Sequence, residues 1–136
     1  MTRALDTNVF VDLIRGRRPI IRRRQDEALL RGEPLVTSLI VFHELQFGVA
    51  ASHDPAGEAL NVEEVLVGVT IEPLNENDAL VAASVRAVLK RSGRPIGSYD
   101  ALIAGQALAR GWTLVTSNVG EFSRVEGLQV EDWSQL

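Results

Sequence analysis

Short apolar runs alternate along this chain with longer stretches whose apolar residues recur at helical spacing. Arg3-Ala-Leu reads as a short strand that ends at Asp6. Beyond it Val9, Phe10, Leu13 and Ile14 form a helical stripe within Asn8–Arg15, and Gly16 is placed to stop that helix. A second helix is predicted over residues 20–31 and ends at another glycine, Gly32. Pro34–Thr37 is strand-like, and Ser38 suits the N-cap of the next helix, which carries Glu44. A further helix fits residues 56–66, and Val67–Glu72 reads as a strand stopped by Pro73. Asn75 or Asn77 caps a long helix running through Lys90, which Ser92-Gly93-Arg94-Pro95 breaks. Asp100–Arg110 is helical with Gly111 after it, Trp112–Thr116 is a strand, and Leu128–Val130 makes a last short one.

Strands alternating with helices predict parallel βαβ units, here four to five strands with helices on both faces of one sheet. Ligands of such sheets bind beyond the carboxyl ends of the strands. Asp6 and the Thr116-Ser117-Asn118 turn fall at two of those ends, and Asp100, at a helix N-terminus, belongs to the same edge. Residues three and four apart share a helix face. Glu44 then shares its face with Ile40, Val41, Phe47 and Gly48, and Asp100 with Ile103 and Ala104. Both acids are therefore expected on apolar stripes, turned toward the core. An ionised carboxylate there is very costly unless it is paired or binds a metal. Asp6, Glu44 and Asp100 would repel one another on converging, and a divalent cation is the simplest partner to hold them together.

Composition narrows the setting. With 136 residues, 46% of them hydrophobic and 24% charged, the chain is expected to form one globular domain with a substantial core. It contains no cysteine, which excludes disulfides, thiolate zinc sites and thiol nucleophiles. No apolar run reaches the roughly 18 residues of a membrane span. Met1-Thr-Arg-Ala-Leu-Asp6 lacks the layout of a signal peptide, so a cytoplasmic protein without membrane contact is expected. The net charge of −4 argues against a uniformly nucleic-acid-coating surface. Its distribution differs: Arg15, Arg17, Arg18, Arg22, Arg23 and Arg24 cluster, as do Arg86, Lys90, Arg91 and Arg94. Either these are solvated faces or they form a rim that meets a polyanion.

A site built from carboxylates, without His or Cys, is a hard oxygen site that suits Mg²⁺ or Mn²⁺ rather than zinc. Such ions activate water and neutralise phosphate, singly or as a pair, so hydrolysis of a phosphodiester is the reaction this set best suits. Competing signatures fail. His43-Glu44 opens like a zinc-protease motif, but its second histidine position is Phe47. Asp6-Thr-Asn8 begins like an aspartate-dependent phosphatase, but Asn8 stands where a second Asp must act. His43 falls off the Glu44 face, Ser52-His-Asp54 is a turn rather than a triad, and Tyr99 and Trp112 are read as packing or interface residues.

In that order, Leu5-Asp-Thr-Asn-Val9, Thr37–Gly48, Ile96–Ala104 and Leu114–Phe122 make the chain similar to the PIN-domain ribonucleases, in particular the VapC toxins of VapBC toxin–antitoxin pairs. The resemblance runs over nearly the whole length and continues through Arg124–Leu128 and Glu131-Asp-Trp133. It implies a three-layer α/β/α sandwich on a mainly parallel sheet, a homodimer, and Mg²⁺- or Mn²⁺-dependent endonucleolytic cleavage of RNA. It carries Asp6, Glu44 and Asp100 over as metal-site acids. Many members place a fourth acid where this chain has Asn118, whose carbonyl oxygen can still support the site. Glu121 is a further acid three residues on. Thr7, Asn8, Ser98 and Thr116 resemble positions that orient the carboxylates. A VapB-like antitoxin is implied as partner, which leaves the arginine clusters open between RNA and an acidic protein segment. The alternative carried forward is a catalytically weak PIN-like module that acts through its protein partner, with Asn118 as the feature in its favour.

Overall fold

A computed structural model describes residues 1–135. The strands are β1 (Arg3–Leu5), β2 (Leu35–Ser38), β3 (Val69–Glu72), β4 (Thr113–Val115) and β5 (Gln129–Glu131). They form one sheet in the order β3-β2-β1-β4-β5, and every pairing is parallel. The three central strands are buried almost throughout, so their sequences read as continuous apolar runs rather than alternating ones. Helices α1 (Thr7–Ile14) and α2 (Pro19–Leu30) follow β1, and α3 (Leu39–Ala51) and α4 (Pro55–Val65) follow β2. Helices α5 (Glu76–Arg91) and α6 (Ser98–Arg110) carry the chain from β3 back across the sheet to β4, and the single turn α7 (Val119–Phe122) leads toward β5. Parallel crossovers are right-handed, so the helices after β1 and β2 cover one face and those after β3 and β4 the other. This is the expected α/β/α sandwich. Among the described residues, no helix is long and apolar enough to cross a membrane.

Local chemistry explains most boundaries. Ser38 caps α3, its hydroxyl oxygen accepting the Ile40 N–H at 3.1 Å. Of the two asparagines offered for α5, Asn75 is the cap, in a reciprocal box with Asp78. Helix α6 begins at Ser98 rather than at Asp100, so Asp100 sits in its first turn. Strand β4 is shorter than predicted and leaves Trp112 and Thr116 outside it. The turn α7 was not foreseen.

Two features lock α5 to α6. Gly105 lies against Ala82 with no room between them for a methyl group. At the far end of α6, Arg110 donates to both oxygens of the buried Asp78, at 3.1 and 2.7 Å, and to the Pro73 carbonyl at 3.0 Å. The hydrogen bonds from Arg110 hold the Asp78 carboxyl below its usual range. The same guanidinium lies 5.2 Å over the Trp112 ring, so Trp112 is a packing residue as expected. Phe10, Phe122, Leu5 and Leu114 fill the centre of the core between helices and sheet.

Candidate active site

The strand order reverses between β1 and β4, and the crevice beyond their carboxyl ends is where such a sheet takes a ligand. Asp6 stands there as the N-cap of α1. Its Oδ1 accepts the Thr7 N–H at 2.8 Å. Its Oδ2 accepts the Asn8 amide at 3.2 Å and the Thr116 hydroxyl at 2.9 Å. Thr116 is itself held: its hydroxyl oxygen accepts the Asn8 amide and the Asn118 N–H, both at 3.0 Å. The other end of the Asn8 side chain accepts the Ser117 N–H at 3.1 Å. Thr7, Asn8 and Thr116 thus each donate a hydrogen bond to Asp6. Burial pushes the Asp6 carboxyl up despite these donors, and the charges of Glu44 and Glu121 add to the rise.

Glu44 reaches the same place from α3. The Thr7 hydroxyl donates to its Oε1 at 3.2 Å, so one residue steadies two acids. The expected core-facing stripe around Glu44 is not what forms. Phe47 is 68% exposed and Gly48 is exposed, while Val41 and Leu45 face the core. Helix α3 is apolar on nearly every side, so apolar neighbours do not choose its inner face. Glu44 is half-buried at the edge of the core, beside the crevice.

Asp100 does share its side of α6 with the buried Ile103 and Ala104. Its carboxyl is pushed up to about 7, first by burial, then by the charges of Glu121 and Asp6, a hydrogen bond with Glu121, and the charge of Glu44. Glu121 moves the other way. Burial opposes its ionisation, but the Gly97 N–H at 3.1 Å, the Asn118 amide at 2.7 Å, Asp100 and Arg124 hold it below its usual range. The acid with more donors keeps the charge, so Asp100 carries the proton that the pair shares.

An open cleft of about 370 Å³ gathers Asp6, Thr7, Asn8, Asp12, Arg17, Glu44 and Asp100, with Val11 on its wall. Ser98 does not join them and lines a separate groove with Tyr99 between α5 and α6. Asn118 is exposed, and its amide donates to Glu121 at 2.7 Å. His43 lies off the cleft, its ring edge-on to Tyr99 at 5.7 Å. Individually, Asp12 and Arg17 were not read from the sequence, because helix α1 had to be placed before they could be assigned to this cleft.

Linkage gives the site a signature in stability. Between the ordinary 3.8 and about 7 the folded chain keeps a proton on Asp100 that the unfolded chain has released, so stability is full at low pH and falls as pH rises through 7. With chelator present, and allowing for the partial exposure of Asp100, a loss of about 1 kcal/mol, roughly 3 °C, is expected between about pH 5.5 and about pH 8. Thermal melts of Asp100→Asn should lose that slope, and an equal slope in the variant would refute this origin.

The acids that line the cleft, Asp6, Asp12, Glu44 and Asp100, offer only oxygen ligands, which suits a hard divalent ion. Among the described residues, no three acidic or histidine side chains close into a finished cation cage. Mg²⁺ does not ask for one, since it is usually held by one or two carboxylates and keeps several waters.

A family model for the PIN domain matches residues 3–128. The chain belongs to the PIN-domain family. Within it the relatives are VapC ribonucleases. The tRNA(fMet)-specific endonuclease VapC of Shigella flexneri is 35% identical over 130 residues, 96% of each chain. Ribonuclease VapC1 of Haemophilus influenzae strain R2866 is 36% identical over 131 residues, 96% of this chain and 97% of its own. Among solved structures, VapBC2 of Rickettsia felis bound to a DNA fragment from its promoter superposes with a TM-score of 0.91 at 31% identity, covering 98% of this PIN domain and 99% of that chain. VapBC-1 of nontypeable Haemophilus influenzae gives a TM-score of 0.88 at 36% identity over 99% and 100% of the two chains.

Proposed function

We propose that this PIN domain is the endoribonuclease toxin of a type II toxin–antitoxin pair, a Mg²⁺- or Mn²⁺-dependent hydrolase of RNA in the cytoplasm, restrained by a VapB-like antitoxin. The observation that carries this reading is the convergence of Asp6, Glu44, Asp100 and Glu121 at the sheet's switch point, in a chain about one-third identical to VapC ribonucleases along its length.

Asp6, Asp100 and Glu44 would hold the ion, with Glu121 next to Asp100. The chemistry a bound ion supplies there is charge neutralisation on a phosphodiester and a water of lowered pKa. The chain's own residues prepare that place. Thr7, Asn8 and Thr116 fix Asp6, the Thr7 hydroxyl fixes Glu44, and the Gly97 N–H with Asn118 fixes Glu121. A proton shared with Asp100 would ease the mutual repulsion of the converging acids, and a bound cation would supply the same neutralisation. Glu121 beside Asp100 adds a carboxylate to the region where Asn118 brings none, which favours the catalytic reading over the weak-site alternative.

Leu39, His43 and Phe47 recur every four residues along one exposed side of α3, beside the half-exposed Tyr99. This strip supports a homodimer of single-domain protomers. The name of the Shigella relative makes initiator tRNA the first substrate to test. Purified protein should cut that tRNA or total RNA with Mg²⁺ or Mn²⁺ and stop on chelation. Intact RNA with both metals would reject the reading.

A further inference from the structure

We infer that Arg17 is a substrate-positioning residue, its guanidinium taking a backbone phosphate of the RNA strand beside the bond to be cut. This inference rests on the ribonuclease reading above and adds to it the one cation of the cleft.

Local geometry puts Arg17 there. Helix α1 is capped by Asp6 and is ended by Gly16, whose φ of +64° is a left-handed conformation that favours glycine. The Gly16 N–H bonds to the Leu13 carbonyl at 3.3 Å, and the Arg17 N–H reaches back to the Asp12 carbonyl at 2.9 Å. This pair of bonds is the Schellman stop, which fixes the residue after the glycine against the last turn of the helix. On its other side Arg18 is also left-handed, with φ 51°, the sole non-glycine residue so placed among those described. Pro19 then opens α2. Two left-handed residues therefore flank Arg17 and turn the loop so that this side chain lines the acidic cleft.

Charge says what it does. The other ionisable residues lining the cleft are Asp6, Asp12, Glu44 and Asp100, and Arg17 is the only basic one. None of the ion pairs among the described residues uses it. A strand of phosphates approaching four acids needs a cation at their edge, and the arginine fork matches two phosphate oxygens at once. Each phosphate contact also contributes to the salt dependence of binding, with a slope of about 0.7 per contact on single strands and 0.9 on duplex.

The test measures cleavage of initiator tRNA with Mg²⁺, and filter binding of the same tRNA with chelator, across a salt series. Arg17→Gln is expected to raise KM about tenfold with a smaller change in kcat, and to lower the salt slope by roughly one contact. Arg17→Lys should recover the slope but not the full affinity. Arg31→Gln removes the same charge beside the start of β2, away from the cleft, and should match the wild type. Melts of each variant establish that it is folded. Wild-type KM and salt slope in Arg17→Gln, alongside an inactive Asp100→Asn, would overturn the role of Arg17 and leave the nuclease reading standing; the loop would then be a contact for a protein partner. Failure of the wild type itself to cut would sink the nuclease reading, and the binding series still decides on Arg17: equal slopes for Arg17→Gln and Arg31→Gln reject it.

Discussion

Asp6→Asn is expected to lower RNA cleavage about a thousand-fold and to leave the melting temperature within a few degrees of the wild type. The two halves of this result have different causes. A metal acting on a phosphodiester supplies several kcal/mol of transition-state stabilisation, and about 4 kcal/mol corresponds to a thousand-fold in rate. An asparagine at this buried position keeps the oxygen that accepts the Thr7 N–H but loses the charge that would hold the cation. In the fold, that charge is a burden: burial and the neighbouring Glu44 and Glu121 push the Asp6 carboxyl up. Removing it relieves the repulsion, which offsets the hydrogen bonds lost from Asn8 and the Thr116 hydroxyl. Single-turnover cleavage of tRNA and a thermal melt measure the two effects. Retained cleavage would remove Asp6 from the site, and inactivity with a melting temperature lower by some 10 °C would make its role structural.

Gly105→Ala is expected to destabilise the fold by about 3 kcal/mol or more, lowering the melting temperature by roughly 10 °C. Taken alone, alanine in place of a mid-helix glycine favours the helix by up to about 1 kcal/mol. Packing outweighs that gain. A Cβ at residue 105 would stand 2.6 Å from the Ala82 backbone nitrogen, and nearer still to its Cα and Cβ. Backbone cannot rotate aside as a side chain can, so α5 and α6 must separate along their contact. Leu89, Ile103, Ala104 and Ala107 all lie in the core beneath that contact and would loosen with it. Urea denaturation gives the value directly, and a gain in stability would show slack between the helices.

Much of this architecture could be read from residues with strong local rules. Gly16, Gly32 and Gly111 mark helix ends, Ser38 and Asn75 mark starts, and the apolar runs of the central strands announce a sheet covered on both faces. Asp6 and Thr116 were legible as strand-end residues for the same reason. Glu44 lines the cleft, but its surroundings differ from the expected stripe, because α3 is apolar all round and only packing selects its inner side. The hydrogen bond from Asn118 to Glu121 was harder to see. Helix α7 has four residues, too few for a period, yet that turn is what brings Glu121 to the Gly97 N–H and to Asp100. Arg17 stood among six clustered arginines, and only the stop after α1 separates it from the rest.

The hydrogen bond between Thr116 and Asp6 joins residues 110 positions apart. Asp6 leaves the ribosome early, yet its carboxylate acquires this partner only after β4 has followed and slotted in beside β1. A growing chain that stops at the end of α6 therefore carries Asp6, Glu44 and Asp100 but not the Thr116 hydroxyl that holds the first of them. The first and fourth strands of the sheet must thus both be made before Asp6 has its full set of partners.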